Sequence, residues 1–271
     1  MRAAQVAGGH GRRIASVLAV LALLSFCAAG HAQGGPPYLT NDPGTPGNGN
    51  WEINLASMQT IARGVASYQA PQIDLNFGLG ERIQLTYEVP YVLQSGAHEA
   101  LQSGWSNANP GIKWRFLDQG DEGWKMSTFP QLETAGSPHA RATGIAGPGP
   151  RLFLPVEVSR KLGRLDVDFE AGYYLAGHGP KERILGFATG RSVTDRLELD
   201  AEIYDDRALD ATVRSTTVDV GGRYKLRPGV IALFMAGRSI NGFANGQPEF
   251  MAYLGVQLLL SHYGRTFNSE L

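Results

Sequence analysis

Two runs of carboxylates carry the most pointed chemistry in this sequence. Asp166, Asp168 and Glu170 stand two residues apart, as do Glu198, Asp200 and Glu202. In an extended chain that spacing puts each trio on one face. Between the runs lie Gly186, Ala188, Gly190 and Ser192, small side chains at the same spacing. The three-residue link Thr194 to Arg196 sets position 190 opposite 200 and 188 opposite 202, and directly opposed residues share a face. Two acidic stripes therefore flank a strip of tiny side chains. Basic groups stand elsewhere, Lys113, Arg115 and Lys125 in one region and Arg223 with Lys225 in another. Walls of this kind suit small polar or ionic solutes. Carboxylates raise the local cation concentration, and a long apolar ligand would strand them without water. The same residues also allow the charges to pair across a plugged interior, with Arg141, Arg151, Arg207 or Arg214 as further partners.

Other chemistry has little to build on. His98, His139, His178 and His262 fall in expected loops or the tail, and no pair has metal-ligand spacing. Ser137-Pro138-His139 brings a serine near a histidine, as a lipid hydrolase would need, but nothing in the sequence orients the base. Gly144, Gly147 and Gly149 do not form a phosphate-cradling loop. No catalytic residue, cofactor or metal is expected. The net charge of −1 supplies no basic excess for phosphate, so nucleic acid is not an expected partner.

The elements that would carry these stripes are strands. Ile73, Leu75, Phe77 and Leu79 alternate with polar residues, and so do Ile83 to Tyr91, Ile112 to Phe116, Leu152 to Val158, Leu165 to Tyr173, Leu197 to Ile203 and Val218 to Leu226. Segments 184–193, 230–240 and 249–260 also read as strands, with less distinct faces. The sum is about twelve strands of roughly ten residues, the length that crosses a bilayer at a tilt. Links alternate between short, as at Gly80-Glu81, Gly163-Arg164 and Arg227 to Gly229, and long, as at 93–104, 134–150 and 241–248. A soluble β-sandwich or carrier barrel would show the same alternation with the apolar face inward. Full charges along the polar face and aromatics near strand ends favour the membrane form. Trp51, Phe116, Trp124 and Tyr224 would sit at one rim, and Tyr91, Tyr173, Tyr204 and Phe250 at the other. The expected fold is an all-β transmembrane antiparallel barrel over 51–260, with outer-membrane lipid around it and a small-molecule solute inside.

The flanks agree with that destination. Arg2, Arg12 and Arg13 precede the uncharged run Ile14 to Ala29, and Gly30 and Ala32 sit at −3 and −1 of a break before Gln33. Residues 1–32 thus read as a cleaved secretory signal peptide. Phe26 before Cys27 argues against a lipoprotein. Cleavage removes the one cysteine and three arginines, leaving 21 Lys+Arg against 25 Asp+Glu and a net charge of −4. Residues 33–50, rich in Gly, Pro and Asn, read as a periplasmic lead-in, and 261–271 as a tail. Tyr253, Gly255, Leu258 and Leu260 are spaced like the C-terminal signal read by the barrel-assembly machinery, an expected partner.

The stretch Pro36-Pro37-Tyr38-Leu39-Thr40-Asn41-Asp42-Pro43, followed by Gly49-Asn50-Trp51-Glu52-Ile53, resembles the opening of a bacterial family of outer-membrane transporters named for the meta-cleavage pathway of phenol degradation. The segments 90–92, 154–163 and Gly172-Tyr173 are similar as well. Asn41 stands where that family has an aspartate. The resemblance implies an outer-membrane barrel of a Gram-negative-type bacterium engaged in transport.

The link pattern fixes an orientation that labelling can check. Cysteines introduced at Ser103, Ser137 and Asn245 should react with impermeant thiol reagents on intact cells, and one at Arg164 should not. Labelling at Arg164 with protection at the other three would invert the topology.

Overall fold

The computed structural model describes residues 35–261 apart from 96–99, 177–180, 210–213 and 243–245. The expected signal peptide, the tail from 262, and His98, His178, His262 and Asn245 lie outside the described residues. Fourteen strand segments run in chain order: β1 (Trp51–Ala62), β2 (Val65–Leu79), β3 (Ile83–Ser95), β4 (Gln102–Trp105), β5 (Asn109–Asp118), β6 (Lys125–Thr128), β7 (Gln131–Glu133), β8 (Arg151–Leu162), β9 (Leu165–Ala176), β10 (Glu182–Ser192), β11 (Leu197–Ala208), β12 (Arg214–Arg227), β13 (Val230–Ser239) and β14 (Phe250–Leu260). One short helix, α1 (Pro138–Ala142), interrupts the 134–150 link.

The segments form 12 staves of a closed antiparallel barrel. β4 and β5 share one stave, because β4 pairs with the far half of β3 and β5 with the near half. β6 and β7 share the next, both lying between β5 and β8. The break between them falls at Phe129-Pro130, where proline has no N–H for the ladder. The break in the preceding stave falls at 106–108. There Asn107 turns its side chain to the 134–150 link, donating to the Thr134 carbonyl and accepting from Gly147 N at 2.7 Å. β1 pairs with β14 from Trp51↔Leu260 to Ile61↔Phe250, which leaves no free edge.

Alternation explains which side chains go where. Leu55, Leu85, Ile112, Phe169, Phe187, Ile203, Val220 and Leu254 are exposed on the outer wall, while each has at least one sequence neighbour buried inside. Paired aromatics mark both rims. Trp51 lies 4.8 Å from Phe77 near the end where β1 starts, and Tyr91 lies 5.2 Å from Trp105 near the other. Tyr204 departs from the expected girdle. It shares the inward parity of Glu198, Asp200 and Glu202 and pairs with Gly186. Links 80–82, 119–124, 163–164, 193–196 and 228–229 lie at the end holding Trp51 and Leu260; 63–64, 134–150, 240–242 and 246–249 lie at the other.

Not every inward wall is polar. Ile231, Leu233 and Met235 of β13 and Met251 and Tyr253 of β14 are buried on the lumen side. Outward neighbours such as Phe234 and Leu254 are also apolar, so alternation has no contrast to show there.

Phe169 is 42% exposed on the outer wall, between Val158 and Phe187 on the adjoining staves. Phe169→Arg should lower barrel stability in lipid vesicles by roughly 2–4 kcal/mol, the cost of a cation near the bilayer midplane. Phe169→Leu should cost far less. Equal urea-unfolding midpoints for the two variants would place position 169 away from lipid.

Candidate functional site: the strap-lined barrel interior

Residues 35–50 are the centre of the interior. Expected as a lead-in outside the barrel, they instead run back into the lumen as a strap of turns and bends. Pro36, Pro37, Pro43 and Pro46 keep the segment out of helix and strand ladders; its turns satisfy some N–H groups, as Gly35 N to Thr40 O at 2.7 Å, and others need acceptors from the walls. The two stripes supply them. Leu39 N and Thr40 N donate to the Glu202 carboxylate at 3.1 and 2.5 Å. Asn41 N donates to Glu170 at 2.9 Å, and Asn41 Nδ2 donates to the other oxygen of Glu170 at 3.3 Å. Glu170 and Thr40 have no exposed surface. Asn41 suits this contact because its amide donates; an ionised aspartate would set two carboxylates against each other.

The strap is tied at three other places. Lys113 donates to the Asp42 carbonyl and pairs with Glu157 at 3.4 Å. Arg223 donates to the carbonyls of Pro36 at 2.9 Å and Gly35 at 3.3 Å, and pairs with Glu198 at 3.0 Å. Tyr38 and Leu39 pack on the apolar wall of β13 and β14. The segment thus crosses the lumen from β5 to the β9–β12 wall and then to β13.

The structure places the other sequence-derived residues as follows. Asp166, Asp168, Gly186, Ala188, Gly190 and Asp200 are all buried on the inward side. Gly190 pairs with Asp200 and Ala188 with Glu202, the register expected from the short link. The space above the small strip is filled, however. A Cβ on Gly186 would collide with the Thr40 side chain, and one on Gly190 with the Asp200 carboxylate. These residues are small because the strap and an acidic side chain lie across them, and they do not widen an open path. Arg115 pairs with Asp118 at 3.2 Å and donates to the Glu81 carbonyl at 2.7 Å. Arg151 and Arg214 do take acidic partners. Arg151 pairs with Glu133 and Glu182, and Arg214 with Asp205, all outside the two stripes. Arg191 is only 4% exposed. Ser137 caps α1, its Oγ accepting from Ala140 N at 3.1 Å, which assigns that hydroxyl a structural contact. Among the described residues no three His, Cys, Asp or Glu side chains group to hold a metal.

Cavities remain around the strap. One of about 220 Å³ lies near the rim where β1 starts, between Asp42–Thr45 and a mixed wall that includes Arg115, Lys125, Lys161, Asp166 and Asp168. Another of about 170 Å³ lies between the strap and the β1–β3 wall. A third of about 60 Å³ sits in the curl of the strap beside Glu52, Lys113 and Arg223. On the β1–β3 wall Asp74 faces Glu88 and Asn76 faces Thr86, and Gln72 and Gln84 extend a polar block whose two-residue spacing is visible in the sequence.

The barrel is similar to the crystal structure of an outer membrane channel from Pseudomonas putida F1, with a TM-score of 0.61 and 13% identity over 84% of this chain and 100% of that one. The chain has the fold of the outer-membrane β-barrels. The KdgM porin (TM-score 0.54, 11% identity) and the NanC porin (TM-score 0.54, 7% identity) each align over 76% of this chain and 98% of their own. No family model and no curated protein matches the sequence.

Asn41→Asp should loosen the strap of this barrel without unfolding it. The side-chain contact to Glu170 becomes repulsive while the backbone N–H keeps its own, and a hydrogen bond to a charged group is worth ~1.5–3 kcal/mol. A cysteine at Thr40, protected in the parent, should label roughly tenfold or more faster in the Asn41→Asp background, since about 1.4 kcal/mol is tenfold. Unchanged labelling would mean that the Glu170 contacts do not hold the strap.

Proposed function

We infer that the protein is a narrow outer-membrane channel or passive transporter for small polar or ionic solutes, exported to the outer membrane of a Gram-negative-type bacterium. The observation that carries this reading is an interior that is charged and only partly filled. The strap occupies the centre, and cavities of about 220 and 170 Å³ remain on two sides of it. Polar residues at this density need water or a polar solute. A barrel of about twelve strands is intermediate between those that side chains fill and the wide aqueous porins. The likeness to an outer membrane channel and two porins supports the class of function. The resemblance of residues 36–53 supports membership in the transporter family named for phenol meta-cleavage. The phenol-pathway solute is not carried over, because carboxylates dominate the interior.

A second reading is a plugged structural or adhesive barrel. The anchoring of the strap at Glu170, Glu202, Lys113 and Arg223 favours it. A lipid hydrolase gains no support from Ser137, whose hydroxyl serves as a helix cap. Outer-membrane lipid and the barrel-assembly machinery are the partners that this reading requires, with a small solute in the lumen.

Planar-bilayer recording separates the two readings. Discrete current steps are expected, with cations passing more readily than anions at low salt. That preference should fade as salt screens the walls, the Debye length being about 10 Å at 0.1 M. A barrel that is folded but silent under all voltages would make the strap a plug and end the channel reading.

A further inference from the structure

The cavity between the strap and the β1–β3 wall has an unusual hydrogen-bond balance. Its amide side chains spend their N–H groups on one another and on acids. Asn54 Nδ2 donates to Asp74 at 2.9 Å and to Glu52 at 3.1 Å. Asn76 Nδ2 donates to Asp74 at 3.0 Å, and Gln72 Nε2 donates to Glu88 at 2.6 Å. Gln84 Nε2 donates to Asn76 Oδ1 at 2.7 Å. What is left over are acceptors. Asn54 Oδ1, Gln72 Oε1 and Asp74 Oδ1 are buried and have no protein partner. Asn54 is 1% exposed and Asp74 9%, and both residues line the cavity together with Gln72.

Charge points the same way. Asp74 and Glu88 both line this space, and none of its lining residues is basic. Lys113, the nearest strap anchor, is already held by Glu157 and the Asp42 carbonyl. The rings of Tyr38, Phe129 and Tyr253 border the same cavity, and two of them already carry a cation, Lys113 over Phe129 at 4.8 Å and Arg223 over Tyr38 at 5.9 Å. The volume, about 170 Å³, is that of roughly five or six waters at ~30 Å³ each. An occupant must therefore be small, positively charged and rich in N–H donors.

We propose that this cavity is a binding subsite for small organic ammonium ions, held by N–H donation to Asn54, Gln72 and Asp74 and balanced by the charges of Asp74 and Glu88. The subsite gives the channel reading a solute class and rests on that reading for its role in transport. Binding itself needs no current. The acids involved are distinct from the Glu170 and Glu202 pair, whose oxygens are taken by the strap.

The test is calorimetric titration of the refolded full-length mature barrel in detergent, with ethylammonium chloride, tetramethylammonium chloride and ethanol as probes. Ethylammonium should bind measurably. Tetramethylammonium has the charge without N–H donors and should bind about tenfold or more weaker; ethanol should not register. Asp74→Asn with Glu88→Gln should weaken ethylammonium by about tenfold or more, because the charge goes and new N–H donors face the ligand. Refolding is checked by heat-modifiable gel mobility, and if the double variant fails there, Asp74→Asn alone carries the comparison. Equal binding of the two cations, ethylammonium binding unchanged in the variant, or no ethylammonium binding to the parent would overturn the proposal. Bilayer recording on the same preparation keeps the two claims apart. Current without ethylammonium binding sinks the subsite alone, and binding without current supports the subsite while the channel reading falls.

Discussion

Glu170 and Glu202 accept backbone N–H groups from a segment that has no strand to pair with, and the rest of the interior is organised around that contact. A closed barrel satisfies every backbone group in its wall but does nothing for a chain in its lumen. The strap has prolines where a ladder would need donors, so it can enter only if side chains receive the donors it still has. Carboxylates do this better than neutral acceptors, since charge-assisted bonds are about twice as strong. The acids in turn gain partners that a lumen of this width would otherwise have to supply as water. Each side of the exchange removes a cost from the other.

The three walls of the lumen divide the labour. The β9–β12 wall is acidic and takes the strap backbone. The β13–β14 wall is apolar and takes the Tyr38 ring, over which the Arg223 guanidinium lies 5.9 Å from the centroid. The β1–β3 wall is built of amides and two acids that bond among themselves, and there the strap stands off. The lumen is therefore asymmetric. One side is a docking surface for the chain itself, and the other keeps its polar groups toward a cavity.

How far the sequence revealed this depends on the kind of signal. Alternation located nearly every stave, and the three-residue link between β10 and β11 fixed Gly190 opposite Asp200 by counting alone. It also assigned the inward face of β8, where Phe153, Pro155 and Glu157 are buried. The period says which residues share a face, however, and is silent on what lies against that face. Asp168 and Glu170 look alike in sequence, yet Glu170 is bonded to the strap while Asp168 lines a cavity. The strap itself has no period. Its identity as an internal element depends on partners more than a hundred positions away, and only the run of prolines hinted that it would form no ladder. The apolar patch on β13 and β14 escaped because both faces of those strands are hydrophobic. The divided staves escaped because β4 and β7 have four and three residues, too few to show a repeat.

The strap also constrains the order of assembly. Leu39 is 163 positions from Glu202, and Pro36 is 187 from Arg223. Each strap-to-stave contact thus joins residues ahead of β1 to strands far along the chain, and contacts of such separation form slowly. The partners stand on β9, β11 and β12, part of a ring closed by β1 against β14. Residues 35–50 are accordingly among the last to find their places. During biogenesis the wall must hold together without its centre, passing through a wider, wetter form before the strap threads inward and settles.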